Sequence, residues 1–369
     1  MMNRMSASTS RQTYLVNGRF LGRPVTGVER FARETLRALD QAIPHLLPRA
    51  ELLVAVPPGE VAPLRLQHGR MVQIGRRQGH AWEQMELARF RPDLPLLNLC
   101  NTAPVRRPGQ MVVIHDAAVF SLPQAYHWRF RLAYRVLHRL LAFSTARIVT
   151  VSDFSRRELA RHLSVPPERI AVVGAGGDHM LRLEPDDTIL DRHGLRGRPY
   201  LLAVSSNHLG KNFALVARAM LKLKQPGFDV VIAGGLNNNV FSNSEETWPP
   251  FIKRVGYVSD EELSSLYRHA AAFVFPSVYE GFGLPPLEAM TLGCPVVSSR
   301  AASMPEVCGD AAIYFDPRDA DSFVQALDQV MRLERHDRED LRARSLARSR
   351  QWSWQGAAEA LAHHLKEMA

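Results

Sequence analysis

The residues best suited to chemistry lie between Ala272 and Met290, in the run AFVFPSVYEGFGLPPLEAM. Two carboxylates, Glu280 and Glu288, stand in an E-x7-E spacing around Gly281 and Gly283. Glycines carry no Cβ, so a backbone containing them can bring its N–H groups close to a ligand. Pro285 and Pro286 suit the first turn of a helix, where a missing N–H costs little. Free N–H groups and the helix dipole converge at such a start and favour an anion. Two acids would repel that anion, so their place is on neutral hydroxyls. A ligand with both phosphate and hydroxyls is a nucleotide-sugar, and the chemistry implied is sugar transfer. Spacing alone also allows a buried helix start with two solvated acids.

Further candidates follow apolar runs. Tyr200 to Val204 leads into Ser205, Ser206 and, after Gly210, Lys211. A lysine in a strand-to-helix loop is a point charge suited to a diphosphate, and the hydroxyls of Ser205 and Ser206 can assist it. The alternative is a solvated lysine in a turn. Met111 to Ile114 ends at His115-Asp116, where open α/β sheets place their ligands. His115 is therefore a candidate for reaching a sugar; the other reading is a loop histidine paired with Asp116.

The elements that must hold these residues alternate along the chain. Apolar strand-like runs include Tyr14–Val16, Leu52–Val56, Met111–Ile114 and Ile170–Val173, then Tyr200–Val204, Val230–Ala233 and Ala272–Phe275. Helical spacing lies between them, as in Val28, Phe31, Ala32, Leu36 and Leu39. Buried strands alternating with helices predict parallel sheets in an α/β fold. Gly174 and Gly176 do not complete a dinucleotide fingerprint, because His179 holds the place of the third glycine and no long helix follows. Binding of NAD is not expected.

A chain of 369 residues predicts two domains. Hydrophobic content of 46% and charged content of 22% describe an ordinary globular protein. No apolar run approaches the ~20 residues that span a bilayer, and the polar N-terminus predicts retention in the cytoplasm. Cys100, Cys294 and Cys308 make no metal pattern and fit a reducing compartment. The net charge is +9, and no lysine precedes Lys211, so the first half draws its positive charge from arginine. Such a basic half suits nucleic acid, anionic lipid or a phosphorylated acceptor; no nucleic-acid-binding motif accompanies it, and the membrane surface is the expected partner. Phe130, Tyr134, Leu137, Leu140 and Leu141 predict one apolar face of a helix spanning 127–147, with Arg131, Arg135 and Arg139 beside it and Trp128 at its start. That pattern fits an interfacial membrane helix and equally a domain helix with a solvated outer side.

From Gly256 to Asp316 the chain closely resembles the retaining family-four glycosyltransferases. The residues carrying the likeness are the E-x7-E run, Gly293-Cys294-Pro295-Val296-Val297, Ser303-Met304-Pro305-Glu306-Val307 and Val255 to Leu263. Looser likeness extends over most of the rest, including Thr26 to Glu34, His80 to Leu87 (the element Trp82-Glu83-Gln84) and Val151 to Leu159.

The resemblance implies a GT-B fold: two Rossmann-like domains facing a cleft, with a C-terminal helix crossing back. The expected divisions are 1–185 for the acceptor, 186–350 for the nucleotide-sugar, and 351–369 for the returning helix. It implies that Glu288 holds the ribose and Glu280 faces the donor sugar. Backbone from Gly281, Phe282, Gly283 and Leu284 meets sugar and diphosphate. Lys211 stabilises the leaving diphosphate, Tyr257 and Val258 meet the base, and Thr26-Gly27 lies under diphosphate and acceptor. It implies no metal and no cofactor beyond the donor. The Val25-Thr26-Gly27 and His115-Asp116-Ala117 segments look most like bacterial polysaccharide mannosyltransferases, implying GDP-mannose and a lipid-linked or polysaccharide acceptor at the inner membrane face. An epimerase of the same fold and a non-catalytic nucleotide-sugar-binding subunit are the alternatives.

Overall fold

The computed structural model describes residues 12–144, 146–205, 209–223, 226–235 and 249–368. In the first domain the strands are β1 (Gln12–Asn17), β2 (Ala50–Val56), β3 (Gly69–Gln73), β4 (Leu96–Asn98), β5 (Gln110–Val113), β6 (Arg147–Thr150) and β7 (Ile170–Val172). The helices between them are α1 (Gly27–Leu46), α2 (Gly79–Met85), α3 (Ala118–Ser121), α4 (Trp128–Phe143) and α5 (Asp153–Leu163). All seven strands pair in parallel in the order β3-β2-β1-β4-β5-β6-β7.

The second domain begins with the short α6 (Thr188–Arg192). It continues through β8 (Tyr200–Ser205), α7 (Phe213–Lys222), β9 (Asp229–Gly234), β10 (Ile252–Gly256), α8 (Asp260–His269), β11 (Ala272–Phe275), α9 (Leu284–Thr291), β12 (Val296–Ser299), α10 (Met304–Cys308), β13 (Ala312–Phe315), α11 (Ala320–Met331) and α12 (Arg335–Ser349). Its six strands are also parallel, ordered β10-β9-β8-β11-β12-β13. The strands are apolar because helices cover both sheet faces; Phe273, Val296 and Val297 have no exposed surface.

Each sheet reverses its strand order once, between β1 and β4 in the first and between β8 and β11 in the second. Ligands of open α/β sheets bind at these reversals, beyond the carboxyl ends of the strands. The loops in question carry Thr26-Gly27, Leu99 to Thr102, Lys211, and Glu280 to Gly283. The last helix, α13 (Trp354–Lys366), returns to the first domain and packs along α1, burying Trp354, Ala358, Leu361 and Leu365. Ser353 caps it through the Gly356 amide at 3.0 Å.

One prediction fails in detail. α4 covers Trp128–Phe143, within the predicted 127–147, but its apolar residues do not all face inward. His138, Leu141 and Ala142 are buried, whereas Phe130 and Leu140 are exposed along with Trp128, Leu132, Val136 and Phe143. Arginine causes the rotation. Arg135 donates to the carbonyls of Val119 and Phe120 at 2.9 and 3.1 Å, and Arg131 donates to that of Pro123 at 3.3 Å. The Arg135 bonds satisfy the last carbonyls of the one-turn helix α3, which its own amides cannot reach. Arg131 and Arg135 are therefore half-buried against these carbonyls, and a stripe of aromatic and aliphatic side chains turns out. The asparagine- and serine-rich stretch from Asn237 to Trp248, whose composition predicts a loop, lies outside the described residues.

Candidate active site

The strand β11 stops at Pro276, and the loop to α9 runs along the boundary between the domains. Gly281 lies so close to the first domain that a Cβ there would stand 2.4 Å from the carbonyl oxygen of His115. Ser152 and Ser155 donate to the Gly281 carbonyl at 2.5 and 3.1 Å. Gly283 precedes α9 with φ +100°, a region that favours glycine. Ser303 Oγ lies 2.9 Å from the carbonyls of both Glu280 and Phe282. Carbonyls are thus held by the protein. With Pro285 and Pro286 lacking N–H, the donors left at the helix start come from the loop and Leu284.

Two predicted residues, Lys211 and Glu280, meet beside this loop, and Asp116, which was not among the predicted site residues, joins them. Lys211 Nζ sits 2.8 Å from Glu280 Oε1 and 4.9 Å from the centre of the Phe275 ring. The lysine and the acid thus neutralise each other partly before any ligand arrives. Asp116 is the third charge: burial and the nearby Glu280 carboxylate push its carboxyl up to about 6, against the opposing pull of the Ala118 amide and Lys211. The amide of Ala118 donates to Asp116 Oδ1 at 2.8 Å, so Asp116 is not the partner of the His115 ring. That partner is the carbonyl of Leu99, 2.9 Å from Nε2. A carbonyl only accepts, so Nε2 carries the proton and Nδ1 remains the acceptor. Burial pushes the imidazole down to about 4, and the ring stands edge-on to Phe31 at 4.7 Å. His115 is therefore neutral near pH 7 and suited to accepting a bond from a hydroxyl.

Glu288 occupies a separate polar cluster in α9, 8% exposed. Tyr267 Oη donates to its Oε2 at 3.3 Å, and His179 Nε2 lies 3.3 Å from its Oε1. Gly27 meets Leu284 across the cleft, with the position of a Cβ 3.9 Å from Leu284 Cδ1. Thr26 bonds through its hydroxyl to the carboxylate of Glu29. Tyr257 is exposed and holds its hydroxyl 2.8 Å from where a Cβ of Gly235 would lie; Val258 follows it at the turn into α8. Ser259 forms a capping box with Glu262. This frees Asp260 for a bidentate bond to Arg30 of α1, both contacts 2.6 Å. Ser205 ends β8 opposite Gly234, and Ser206 lies outside the described residues.

Other residues were visible in the sequence without their roles. The Glu306 carboxylate accepts from the amides of Asp153 and Phe154 at 2.7 and 2.9 Å, so the second domain caps a helix of the first. Those partners are about 150 positions apart in sequence, beyond any local pattern. The Trp82-Glu83-Gln84 element is structural at both ends: Trp82 Nε1 donates to the Ile74 carbonyl, and Gln84 bonds Ala103 and Val105. Glu83, fully buried, gathers Asn17, Thr102, His80 and Arg19 around its carboxylate. These partners lower its pKa against the opposing effect of burial. Among the described residues, the grouped metal-ligand types His363, His364 and Glu367 lie at the end of α13, where Arg147 already pairs with Glu367.

A family profile described as "Glycosyl transferases group 1" matches residues 186–348. Over 363 residues the chain is 32% identical to the O-antigen chain mannosyltransferase B of Escherichia coli, spanning 90% of this chain and 93% of that protein. The chain belongs to the group 1 glycosyltransferases. It is also 27% identical over 240 residues to the O-antigen chain mannosyltransferase RfbU of Salmonella typhimurium, covering 63% of this chain and 64% of that one. The sucrose-phosphate synthase from Thermosynechococcus elongatus superposes with a TM-score of 0.71 at 16% identity, over 97% of this chain and 99% of that chain. The fold is GT-B, and this glycosyltransferase is a hexosyl-transferring enzyme. These likenesses favour transfer over the epimerase and binding-subunit alternatives.

Proposed function

We propose that this glycosyltransferase moves mannose from GDP-mannose to a hydroxyl of a lipid-linked or polysaccharide acceptor, retaining the anomeric configuration. One observation carries the reading: Lys211 and Glu280, from the loops at the strand-order reversal of the second sheet, meet Asp116 of the first domain beside the Gly281–Leu284 backbone. A diphosphate and a hydroxylated ring need that combination of cation, amides and acids. The choice of mannose rests on likeness to the O-antigen mannosyltransferases.

In this mechanism the bond between sugar C1 and the diphosphate oxygen breaks, and the acceptor oxygen bonds C1 on the same face. The acceptor proton passes to the departing phosphate oxygen. Lys211 leaves Glu280 for the diphosphate, and the loop amides take up the charge that develops there. Preorganised stabilisation of this kind is usually the largest catalytic contribution. Glu280 and the neutral His115 orient sugar hydroxyls, Glu288 holds the ribose, and Tyr257-Val258 meets the base. Closure of the domains excludes water from the donor.

The acceptor side faces a membrane surface in this reading. No helix among the described residues is long and apolar enough to cross a membrane. The exposed stripe of α4 supports a peripheral contact instead, at the cytoplasmic face.

The test is a thermal-shift panel of GDP, UDP, ADP and dTDP on wild type and Lys211→Ala, followed by turnover of GDP-mannose. A ligand that binds only the folded state stabilises it by ~2.7 kcal/mol at a hundredfold excess over Kd. A shift with GDP alone, lost in the variant, upholds the reading. A shift with another nucleotide instead sinks the GDP-mannose assignment.

A further inference from the structure

Glu288 is held by residues that neither the strand nor the loop of the donor site supplies. His179 lies in the turn Asp178–Arg182, just past β7, and is 3% exposed. Trp354, the first residue of α13, donates from its indole Nε1 to His179 Nδ1 at 3.1 Å. An indole N–H only donates, so Nδ1 is the accepting nitrogen and the ring proton lies on Nε2. Nε2 is buried without a well-formed hydrogen bond, and the Oε1 of Glu288 stands 3.3 Å from it. The chain approaching the ring is fixed on both sides. A Cβ at Gly176 would stand 2.3 Å from the Trp354 amide nitrogen, and one at Gly177 would stand 2.9 Å from the Leu287 carbonyl in α9. Trp352 meets the Phe282 ring edge-on at 5.1 Å.

We propose that His179 is a positioning residue for Glu288, its proton fixed on Nε2 by Trp354, so that the returning C-terminal helix sets the geometry of ribose recognition. The inference rests on the reading of Glu288 as the ribose ligand. The unmet N–H lies 3.3 Å from one carboxylate oxygen, a distance from which a small turn of either side chain completes the bond, and Tyr267 holds the opposite oxygen. A carboxylate fixed at both oxygens by donors keeps its remaining lone pairs in one direction, toward a vicinal diol. A free rotor in the same place would give up part of that selectivity on binding. Trp354 is itself held against Phe31 of α1, with ring centres 6.0 Å apart.

The experiment is calorimetric titration of the full chain with GDP, UDP and ADP and with the 2′-deoxy and 3′-deoxy form of whichever binds. It is run on wild type, Glu288→Ala, His179→Ala, His179→Gln, Trp354→Phe and the Glu288→Ala/His179→Ala double variant. Wild type is expected to prefer a ribose over at least one deoxyribose by about tenfold, the scale of one hydrogen bond to a charged group. His179→Ala should lose most of that preference, and the double variant should lose no more than Glu288→Ala alone. His179→Gln, whose amide N–H reaches the position of Nε2, should keep part of it, and Trp354→Phe should fall between. Donor KM should rise more than kcat falls. If Glu288→Ala keeps the full preference, the ribose reading itself fails and takes this inference with it. If Glu288→Ala loses the preference while folded His179→Ala keeps it, the role of His179 alone is overturned. Should His179→Ala not fold, undiminished preference in both Trp354→Phe and His179→Gln overturns it equally.

Discussion

The two sides of the cleft are built in opposite ways. The second domain's side is concentrated: one strand, one loop and one helix, β11 to α9, supply Glu280, the loop amides and Glu288 within 20 consecutive residues. The first domain's side is dispersed. Its buried charge centre draws Asn17 from β1, Arg19 from the following turn, His80 and Glu83 from α2, and Thr102 from the loop after β4. A contiguous site tolerates change elsewhere in the fold and depends on backbone path. A dispersed one makes the fold and the site the same object. Mutations should separate the two.

The largest effect is expected where the concentrated side touches the other domain. Gly281→Ala places a methyl 2.4 Å from the His115 carbonyl, a backbone atom that cannot step aside. The domains must part, breaking the bonds from Ser152 and Ser155. A displacement of about 1 Å can cost on the order of 10²-fold in rate, so kcat/KM should fall by about that factor. Nucleotide binding by the second domain should weaken much less. Comparable losses in both would mean that the loop itself, not closure, has been damaged.

Stability should sort the two sides in the reverse sense. Glu83→Ala leaves the Arg19 guanidinium, 9% exposed, without its carboxylate. Breaking a buried pair in this way costs about 3 kcal/mol or more, a fall in Tm of roughly 6 °C or more for a domain of this size. Lys211→Ala removes a partly exposed partner of Glu280 and should change stability by less than about 1 kcal/mol, while nucleotide binding drops by about tenfold or more. Thermal melts with and without nucleotide distinguish the pair. If Glu83→Ala melts like wild type, its network is ornamental and the contrast collapses.

Legibility follows the same division. The E-x7-E run, the strand-end histidine and the loop lysine were readable because strand, glycine loop and helix follow one another in sequence. The parallel sheets were readable from apolar runs buried on both faces. Glu306 was not, because its partners are amides on another domain. His179 appeared only as the residue that spoiled a glycine fingerprint. The outward stripe of α4 was misread because helical spacing identifies faces without saying which one arginine will draw inward: Arg135 found carbonyls at Val119 and Phe120 and rotated the rest.

Asp116 provides a pH test at the junction of the two sides. Its carboxyl is held up to about 6, first by burial and then by the charge of Glu280, whereas the unfolded chain ionises it near its ordinary value of 3.8. The folded state keeps the proton over that interval and the unfolded state does not. The stabilisation is therefore complete below about 3.8, is lost as pH rises through about 6, and changes no further above it. Asp116→Asn should remove this contribution, so the stability difference between variant and wild type should change between pH 4 and 6.5 and be flat from pH 7 to 8. Denaturant titrations across that range read it directly. A difference that is constant throughout would show that Asp116 ionises alike in both states.

The smallest effect on stability is expected on the outer face of α4. Val136 and Phe143 are 46% and 73% exposed, one of them a β-branched and the other an aromatic group facing solvent. Val136→Ser with Phe143→Ser removes apolar surface that the fold does not cover, so each change should stay within about 0.5 kcal/mol. Leu141→Ser, one turn away on the buried side with no exposed surface, should cost several times more, because it puts a hydroxyl where apolar contacts were. Co-sedimentation with vesicles of mixed neutral and anionic lipid then isolates the stripe from the fold. Weakened sedimentation of the double serine variant, at unchanged Tm and unchanged nucleotide binding, makes α4 the membrane contact. Equal sedimentation of wild type and variant removes α4 from that role and leaves any surface attraction to the arginine charge of the first domain, which added salt would abolish.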